Sequence, residues 1–396
     1  MKFSETLLAR HMQPINGSAI REIFHLLGKS DMISFAGGNP AASALEPDVI
    51  SQIAQETLSV HGWPLLQYGA TEGFAPLRDS LCEFVKSAGI STRPENILPT
   101  QGSQQAFDLL LKSLIDPGDV ILVESPTFLG AIQAMNTYQA RLVAMPSDDK
   151  GVIVEAVEEA IKAHHPKLMY IIPTFQNPSG KTLPLERRKA LAQLANRYGV
   201  VIAEDDPYRD LRYSGEPIQS IKSFDENGFV VYLGSFSKLI SPGLRVGYAV
   251  VDAPALMRKM VIGKQSVDVH SPILNQAIVD TYLRKGLLGD HVKRICASYK
   301  AQLDKMLDML KCWPEGSECT HPEGGLFVWV ELPQALDATQ LFVKATERSV
   351  AYVPGTHFYF DGGHNNTLRL NFSNSSLESI EKGMRILGEL FCAQIK

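Results

Sequence analysis

The sequence lacks several features that would place the protein at a membrane, outside the cell or on nucleic acid. No apolar run approaches the ~20 residues that a membrane-spanning helix needs. Residues 1–13 have neither the apolar core nor the small-residue cleavage site of a signal peptide. A basic excess is also missing, because 38 Lys and Arg are set against 43 Asp and Glu, giving a formal net charge of −5. We therefore expect a cytoplasmic protein with no membrane or nucleic-acid partner.

Cysteine is scarce, and its distribution argues against a disulfide framework or a zinc cluster. The five cysteines are odd in number, scattered and without a Cys-x-x-Cys pair, which fits a reducing compartment. A His-Glu-x-x-His motif is absent, and His164 and His165 end a predicted surface helix. We expect no metal site.

Two glycine-rich nucleotide motifs are also missing. The sequence contains neither Gly-x-Gly-x-x-Gly after an early strand nor Gly-x-x-x-x-Gly-Lys-Ser/Thr. The first motif is typical of dinucleotide-dependent dehydrogenases and the second of P-loop nucleotide-binding proteins. Both classes are therefore disfavoured.

What the sequence does contain is an alternation of short apolar runs with helix-length amphipathic segments. A chain of 396 residues, 45% hydrophobic and 20% charged, suits two or three packed units. The runs at 120–123, 168–172, 200–203, 230–233 and 247–251 are rich in Val and Ile, as strands buried on both faces should be. Helical segments at 104–114, 154–164 and 185–198 alternate with them. This predicts an α/β fold with a mainly parallel central sheet, right-handed crossovers and flanking helices.

The pattern changes near residue 285, where a smaller α+β unit is predicted to begin. A long helix at 289–312 leads to a strand at 327–331, and two more helices surround a second strand at 368–372. We expect an N-terminal segment, 1–45, to complete this small C-terminal domain, 288–396. The large domain, 46–287, would carry the candidate site.

Functional side chains follow four of the predicted strands at the points where the strands end. The segments are 124–128 (ESPTF), 173–178 (PTFQNP), 204–208 (EDDPY) and 234–238 (GSFSK). Ligands of open parallel sheets bind just beyond the carboxyl ends of the strands. One edge of the sheet is therefore predicted to collect an aromatic ring, an amide, a carboxylate, a phenol, two hydroxyls and a lysine.

This set of groups matches what pyridoxal-5′-phosphate (PLP) needs from a protein. Its aldehyde needs a lysine, its pyridine nitrogen an acid, and its phenolate oxygen hydrogen-bond donors. Its phosphate needs a helix N-terminus with hydroxyls and cations. PLP is therefore the predicted cofactor.

Several segments carry a resemblance to a known enzyme family. They are 18–23 (SAIREI), 33–40 (ISFAGGNP), 67–73 (QYGATEG), 101–105 (QGSQQ), 173–180 (PTFQNPSG), 204–208 (EDDPY), 234–248 (GSFSKLISPGLRVGY) and 368–373 (LRLNFS). Together they resemble the fold-type I, class I/II PLP-dependent aminotransferases, and within them the branch of 2-aminoadipate and kynurenine aminotransferases. The resemblance implies the type I PLP-dependent transferase fold and a homodimer with shared active sites. It also implies ping-pong transfer of an amino group from an amino acid, such as 2-aminoadipate, glutamate, an aromatic or a branched-chain one, to a 2-oxo acid such as 2-oxoglutarate.

The resemblance implies roles for the residues around the cofactor ring. Lys238 would hold PLP as a Schiff base and then, freed by the substrate, act as the base that moves the α-proton. Asp205 would keep the pyridine nitrogen protonated, while Tyr208 and Asn177 would donate hydrogen bonds to the phenolate oxygen. Phe128 would stack on the ring, where many relatives carry Tyr. Taken alone, Lys238 could lie in a solvated turn, Asp205 could cap a helix and Phe128 could pack in the core.

The resemblance also implies a phosphate site that continues onto the neighbouring subunit. Backbone N–H groups at the start of a helix, with hydroxyls and a guanidinium, would bind the phosphate. The residues are Gly102, Ser103, Gln104, Ser235, Ser237 and Arg245. Tyr68 would reach the phosphate of the neighbouring subunit, and segment 265–275 would also cross over. The alternatives are a surface ion pair for Arg245 and core packing for Tyr68.

Substrate binding is assigned in the same way. Arg369 matches the arginine that pairs with the substrate α-carboxylate, and an arginine inside an apolar strand is costly unless it is paired. The resemblance implies that Gly38 and Asn177 also bind the substrate. Arg21 would face the substrate side chain and favour acidic donors, or would be solvated on an exposed N-terminal helix.

Two other functions remain open at this point. The nearer is another PLP reaction on the same scaffold, a β-lyase or a decarboxylase, because a fold does not determine which bond at Cα is broken. The other is a PLP-binding regulator that senses a ligand. It would need an appended DNA-binding domain, and the residues before the matching segments are few and without basic excess.

Overall fold

The computed structural model describes residues 7–13, 15, 17 and 32–395. Its strands are β1 (Ile33–Ser34), β2 (Ile97–Thr100), β3 (Val120–Glu124), β4 (Arg141–Met145), β5 (Ser147–Asp148), β6 (Gly151–Val152), β7 (Leu168–Ile171), β8 (Val201–Asp205), β9 (Val230–Ser235), β10 (Gly247–Val250), β11 (Glu318–Cys319), β12 (Phe327–Glu331), β13 (Val350–Ala351), β14 (Val353–Pro354) and β15 (Thr367–Asn371). Its α-helices are α1 (Pro47–His61), α2 (Ala75–Phe84), α3 (Ser103–Leu114), α4 (Leu129–Thr137), α5 (Val154–His164), α6 (Leu185–Tyr198), α7 (Pro254–Val267), α8 (Ile273–Arg284), α9 (Leu287–Leu310), α10 (Ala338–Glu347) and α11 (Leu377–Cys392).

The central sheet has seven strands in the order β2-β10-β9-β8-β7-β3-β4. Strands β4, β3, β7, β8 and β9 are parallel to their neighbours in this series. Their carboxyl ends therefore meet along one edge of the sheet. The predicted α/β class with a mainly parallel sheet is confirmed.

The mainly parallel sheet has one strand whose direction the sequence analysis did not assign. Strand β10 is antiparallel to both β9 and β2. The link from β9 to β10 contains no α-helix, whereas a parallel crossover normally needs one, so the chain turns straight back. This link is functionally important because it carries Lys238 and Arg245.

The two edge strands of this sheet were not predicted. Strand β2 contains Pro99, which is tolerated at a sheet edge but interrupts the pattern of a central strand. Strand β4 begins with the exposed Arg141 and is only partly buried along most of its length. Strand β2 therefore lacks a continuous apolar run, and β4 is less buried than the inner strands.

The inner strands are buried on both faces. Ile121 and Val123 pack into one apolar cluster, while Val120 and Leu122 pack into the other. Because successive side chains of a strand point to opposite faces, a strand covered on both sides needs apolar residues at every position. This explains the uninterrupted apolar runs in the sequence.

Local sequence determines where several helices begin and end. Asp337 and Ser376 precede α10 and α11, and the side chain of each accepts hydrogen bonds from backbone N–H groups of the first turn. Gly199, with a φ of 67°, ends α6. The long helix predicted at 289–312 lies at Leu287–Leu310, slightly nearer the N-terminus, directly after Gly286.

A second sheet contains β11, β12, β15 and β14, all antiparallel to their neighbours. Strand β1 pairs in parallel with β13, far along the chain. Arg369 lies in β15, where it is opposite Trp329 of β12. The three domain ranges stay a prediction. Among the described residues, no helix combines the length and the apolar character needed to cross a membrane.

Candidate active site

A cavity of about 330 Å³ lies at the carboxyl edge of the central sheet. It is lined by Gly38, Asn39, Gly102, Ser103, Gln104, Phe128, Ile172, Asn177, Asp205, Pro207, Tyr208, Ser235, Ser237, Lys238, Arg245, Phe327 and Arg369. It brings together every predicted site residue except Tyr68 and Arg21. Groups far apart in sequence converge here because the parallel strands end at the same edge.

Lys238 places its amine in this cavity. The link after β9 carries it, and its Nζ donates a hydrogen bond to the carbonyl oxygen of Gly38 at 2.8 Å. Burial, together with the positive charges of Arg369 and Arg245, lowers the pKa of Lys238 to about 8. About a tenth of the amine is therefore neutral and nucleophilic at pH 7, far more than for an unperturbed lysine.

Asp205 is the last residue of β8 and is only 6% exposed. Its Oδ2 accepts a hydrogen bond from the hydroxyl of Tyr170 at 2.7 Å. Its Oδ1 is buried and has no hydrogen-bond partner among the described residues. Burial raises the pKa of Asp205 to about 6, although hydrogen bonds from Tyr170 and Ser103 oppose the rise. One oxygen of this carboxylate is thus free to accept a hydrogen bond from a ligand.

Asn177 forms hydrogen bonds with both Tyr208 and Arg369 on the cavity wall. Its Nδ2 donates to the hydroxyl of Tyr208 at 3.4 Å, and its Oδ1 accepts from Nη1 of Arg369 at 2.9 Å. Burial raises the pKa of Tyr208 well above its usual range, so the phenol stays protonated and can donate. The ring of Tyr208 meets that of Phe327 edge-on, with centroids 5.9 Å apart.

Among the residues that the structure describes, Arg369 is a buried cation without a charged partner. It is 1% exposed, and its hydrogen bonds go to two uncharged oxygens, Oδ1 of Asn177 and the carbonyl of Ala36, the latter at 2.6 Å. Its guanidinium lies 4.1 Å from the ring centroid of Phe327 and 5.0 Å from that of Phe358. Its Nε is buried and has no hydrogen-bond partner among the described residues. Burial lowers the pKa of Arg369 to about 10. A buried guanidinium of this kind favours an anionic ligand.

The opposite end of the cavity is a cradle for an anion. Helix α3 begins at Ser103 after Gly102, whose φ is +80°. A Cβ atom at Gly102 would lie 2.7 Å from Nη2 of Arg245, so the glycine leaves room for the guanidinium beside the helix N-terminus. The hydroxyl of Ser235 donates to that of Ser237 at 3.0 Å, and Nη1 of Arg245 lies 3.5 Å from the Ser237 hydroxyl. The N–H groups of the first helical turn, the hydroxyls and the cation together suit a phosphate.

The remaining predicted residues occupy different environments. Phe128 lines the cavity and packs against the large core cluster. Gln104 also lines it, with its side-chain amide directed to the carbonyl of Gly130. Tyr68 is 80% exposed and lies outside the cavity, with its ring edge-on to His270, which excludes the core-packing alternative. Arg21 lies outside the described residues.

Sequence reasoning missed three residues that support the site: Tyr170, Phe327 and Ala36. Tyr170 could have been identified from the sequence, because a phenol inside an apolar buried strand needs a polar partner. That partner is Asp205. Phe327 looked like any other apolar strand residue. Ala36 acts through its backbone carbonyl, which side-chain patterns do not reveal.

The cavity fits PLP on three structural observations. The unpartnered Oδ1 of Asp205 is placed to accept a hydrogen bond from a ring N–H. The guanidinium of Arg245 lies beside the start of α3, a suitable pair for a phosphate, because Gly102 has no side chain. The amine of Lys238 lies in the same cavity. Asp205, Lys238 and the cradle therefore form one binding site of the right chemistry.

Comparison with known proteins identifies relatives of this chain. The sequence profile described as "Aminotransferase class I and II" matches residues 30–387. The aromatic-amino-acid aminotransferase 1 of Thermococcus litoralis is 42% identical, with 100% of this chain and 95% of that protein covered. The 2-aminoadipate transaminase of Thermus thermophilus is 41% identical, with 94% of each chain covered. The crystal structure of Pyrococcus horikoshii kynurenine aminotransferase, in complex with PMP, superposes with a TM-score of 0.94 at 40% identity and covers 99% of this chain and 98% of its own.

Proposed function

The chain belongs to the class I and II aminotransferases, and we propose that it transfers the amino group of aromatic and 2-aminoadipate-type amino acids to 2-oxoglutarate. It is a PLP-dependent enzyme, as predicted from the sequence. The donor class follows the relatives, which are named for aromatic amino acids and for 2-aminoadipate at 42% and 41% identity. The observation that carries the proposal is Arg369, a buried guanidinium in the cavity that has no charged partner in the described part of the chain.

Arg369 supplies the group that recognises an amino acid or a 2-oxo acid. Both substrates of a transamination carry a carboxylate next to the reacting carbon, and a guanidinium binds a carboxylate through two parallel hydrogen bonds. Asn177 and the carbonyl of Ala36 hold the guanidinium in place. Donor and acceptor would therefore bind in the same orientation, with the reacting carbon towards Lys238.

The other cavity residues would bind and orient the cofactor. When bound, PLP supplies an aldehyde that joins the amino nitrogen and a ring that draws electrons from the substrate α-carbon. Asp205 Oδ1 would accept a hydrogen bond from the ring nitrogen and keep a proton there. Tyr208 and Asn177 would donate to the phenolate oxygen, and Phe128 would stack on the ring. The phosphate would lie between residues 102–104 and Arg245, with Ser235 and Ser237.

Lys238 is the proposed acid–base group. The neutral amine would take the proton from the substrate α-carbon at Nζ, which its lowered pKa favours. The carbonyl of Gly38, 2.8 Å away, would hold the amine within the cavity when it is not covalently engaged. The lysine, and not a solvent molecule, would thus control the fate of the α-proton.

The donor preference is tested by a panel with 2-oxoglutarate as the acceptor. Purified enzyme is incubated with phenylalanine, tyrosine, kynurenine, 2-aminoadipate and leucine, and glutamate formation is measured for each. We expect the highest kcat/KM with the aromatic donors and 2-aminoadipate. Glutamate formed from none of them would contradict the proposal. Carbon dioxide released without glutamate would indicate a decarboxylase, and ammonia and pyruvate from β-substituted donors would indicate a β-lyase.

We further propose a homodimer in which the exposed Tyr68 reaches the neighbouring active site. Val60, Trp63, Leu66 and Tyr68 are all more than two-thirds exposed, and large apolar side chains clustered at a surface favour an interface. Leu65, in the same stretch, packs on Ile273 of α8, which brings these residues close to segment 265–275. Sedimentation equilibrium should give a dimer. An active monomer at assay concentration would contradict this part of the proposal.

A cytoplasmic location belongs to the same proposal. All five cysteines are free thiols, and the side chains of Cys312 and Cys392 are exposed. Free thiols of this kind are typical of a reducing compartment. Fractionation of the native cells with an antibody to the protein tests the location directly.

A further inference from the structure

Asp268 lies at the centre of a polar network behind the proposed phosphate site. It directly follows α7, and its Oδ2 accepts hydrogen bonds from the side-chain amides of Gln101 at 2.8 Å and Gln105 at 2.7 Å. The fully buried Lys264 donates to its two carboxylate oxygens at 2.7 and 2.8 Å. One carboxylate therefore joins the end of α7 to the start of α3.

The two glutamines flank the backbone that would bind the phosphate. The N–H of Gln101 donates to Oε1 of Gln105 at 2.8 Å, which closes the turn that contains residues 102–104. Nη2 of Arg245 donates to the carbonyl of Gln101 at 2.8 Å. Because both glutamines are tied to Asp268, that residue fixes the phosphate-binding turn and the guanidinium beside it.

The same stretch of chain supports the other side of the cradle. Nδ2 of Asn275 donates to the carbonyl of Leu244 at 2.9 Å, immediately before Arg245. Arg245 has a φ of 52°, in the left-handed region that residues other than glycine rarely adopt. A residue in such a conformation depends on its neighbours to hold it.

Charge maintains this network. Burial alone would raise the pKa of Asp268, but hydrogen bonds from Gln105, Lys264 and Gln101 outweigh it and lower the pKa. The carboxylate is therefore ionised at neutral pH and balances the buried ammonium of Lys264. Asp268 does not line the cavity, so any influence on a ligand must pass through the residues it holds.

We propose that Asp268 is a positioning residue for the cofactor phosphate, acting through Gln101, Gln105 and the turn between them. The proposal rests on the placement of the phosphate at the start of α3. It goes beyond that placement by assigning the rigidity of the cradle to a carboxylate that touches neither cofactor nor substrate. Without this carboxylate the N–H groups of the turn would have to be ordered by the phosphate itself, and the phosphate would bind more weakly.

The test compares two ligands that differ only in the phosphate. The apoenzyme is titrated with PLP and with pyridoxal, and both dissociation constants are measured by fluorescence quenching for wild type and for Asp268→Asn. The asparagine keeps the size of the side chain but removes its charge and one acceptor oxygen. We expect PLP to bind at least about tenfold more weakly to the variant, and pyridoxal to change by less than about twofold.

A matched control separates positioning from general stability. Asp225→Asn breaks a comparably buried pair with Lys222 (2.7 Å) at the start of β9, the end remote from the cavity. This variant should leave both dissociation constants unchanged. If Asp268→Asn leaves PLP affinity unchanged, or weakens PLP and pyridoxal equally, the positioning role is refuted. If wild-type enzyme binds pyridoxal as tightly as PLP, the phosphate placement itself is wrong.

A second variant covers the case in which Asp268→Asn does not fold. Gln101→Met keeps the ion pair between Asp268 and Lys264 and removes only one of the two links to the turn. We expect it to weaken PLP binding by about threefold or more, while pyridoxal is unaffected. Unchanged PLP affinity in a folded Gln101→Met protein, together with an unfolded Asp268→Asn protein, would mean that the network serves stability alone.

Discussion

Replacing Asp205 with asparagine would remove one negative charge from the cavity with little change of shape. Asp205 is only 6% exposed, and its Oδ2 is already held by Tyr170, an interaction that an asparagine oxygen can also accept. The change is therefore concentrated at Oδ1, the unpartnered oxygen that we assign to the ring nitrogen of PLP. The variant should fold and still bind the cofactor, but more weakly than wild type.

The size of the effect follows from the environment of this carboxylate. The pKa of Asp205 is about 6, so roughly nine-tenths of it is ionised at pH 7. A carboxylate and a protonated ring nitrogen at hydrogen-bond distance attract each other by about 5 kcal/mol at an effective dielectric constant of ~20. With its oxygen on Tyr170, the asparagine can only donate its NH2 group to an unprotonated ring nitrogen, a neutral hydrogen bond that replaces part of this attraction. We therefore expect a loss of about 3 kcal/mol of transition-state stabilisation, or on the order of 10²-fold in rate.

The assay is a single-turnover half-reaction followed by the absorbance of the bound cofactor after mixing with a saturating amino acid. Asp206→Asn is the control, because Asp206 is equally buried, follows directly in sequence and does not line the cavity. It pairs with Arg209 at 3.6 Å, so its replacement should lower thermal stability and leave the half-reaction rate within about threefold of wild type. An Asp205→Asn enzyme that turns over at the wild-type rate would refute the assignment, and Asp206 would become the candidate.

Three further predictions concern the substrate carboxylate, the catalytic amine and the substrate side chain. Arg369→Gln should lower kcat/KM for amino acids by about 10²-fold or more, because the charged hydrogen-bonded pair with the substrate carboxylate is lost. Phenylethylamine has no carboxylate and should react equally well with variant and wild type. Equal losses of kcat/KM on both kinds of substrate would contradict carboxylate recognition. The pKa of Lys238 is lowered to about 8, and only the neutral amine reacts with the aldehyde. The rate of covalent PLP capture by the apoenzyme should therefore rise with pH and level off above about pH 8. A rise that continues towards pH 10 would mean that the pKa of this lysine is not lowered. Arg21→Ala should cost acidic donors about 1–3 kcal/mol of kcat/KM selectivity while phenylalanine and leucine are unchanged, and equal losses on all donors would show that Arg21 does not recognise the distal charge.

Much of the fold was predictable because its inner strands are buried on both faces. Residues 120–123 and the corresponding parts of the other inner strands need apolar residues at successive positions, and that requirement is visible in the sequence. The direction of Gly247–Val250 was not visible, since it depends on the absence of a helix from the preceding link. The edge strands were not predicted because β2 is interrupted by Pro99 and β4 begins with the exposed Arg141.

The parts of the candidate site that could be predicted are the side chains whose chemistry is specific and which lie at the carboxyl ends of strands. Lys238, Asp205 and Asn177 all follow strands that end at one edge of the sheet, so fold and chemistry point to the same place. The Asp268 network was not predictable, because an aspartate after a helix and two glutamines near a helix start look like ordinary solvated residues. Only their three-dimensional convergence identifies them. Tyr68 is a third case, because its exposed position has a functional role only in the dimer that we propose.

The central claim is that Lys238 carries the cofactor, and reduction followed by peptide mapping tests it most directly. Purified holoenzyme should be yellow, and borohydride should remove the colour and fix the cofactor irreversibly to the protein. After digestion, mass spectrometry should find the phosphopyridoxyl group on Lys238, within the sequence Ser-Phe-Ser-Lys. Recovery of the group on any other lysine, or no attached group at all, would contradict the account.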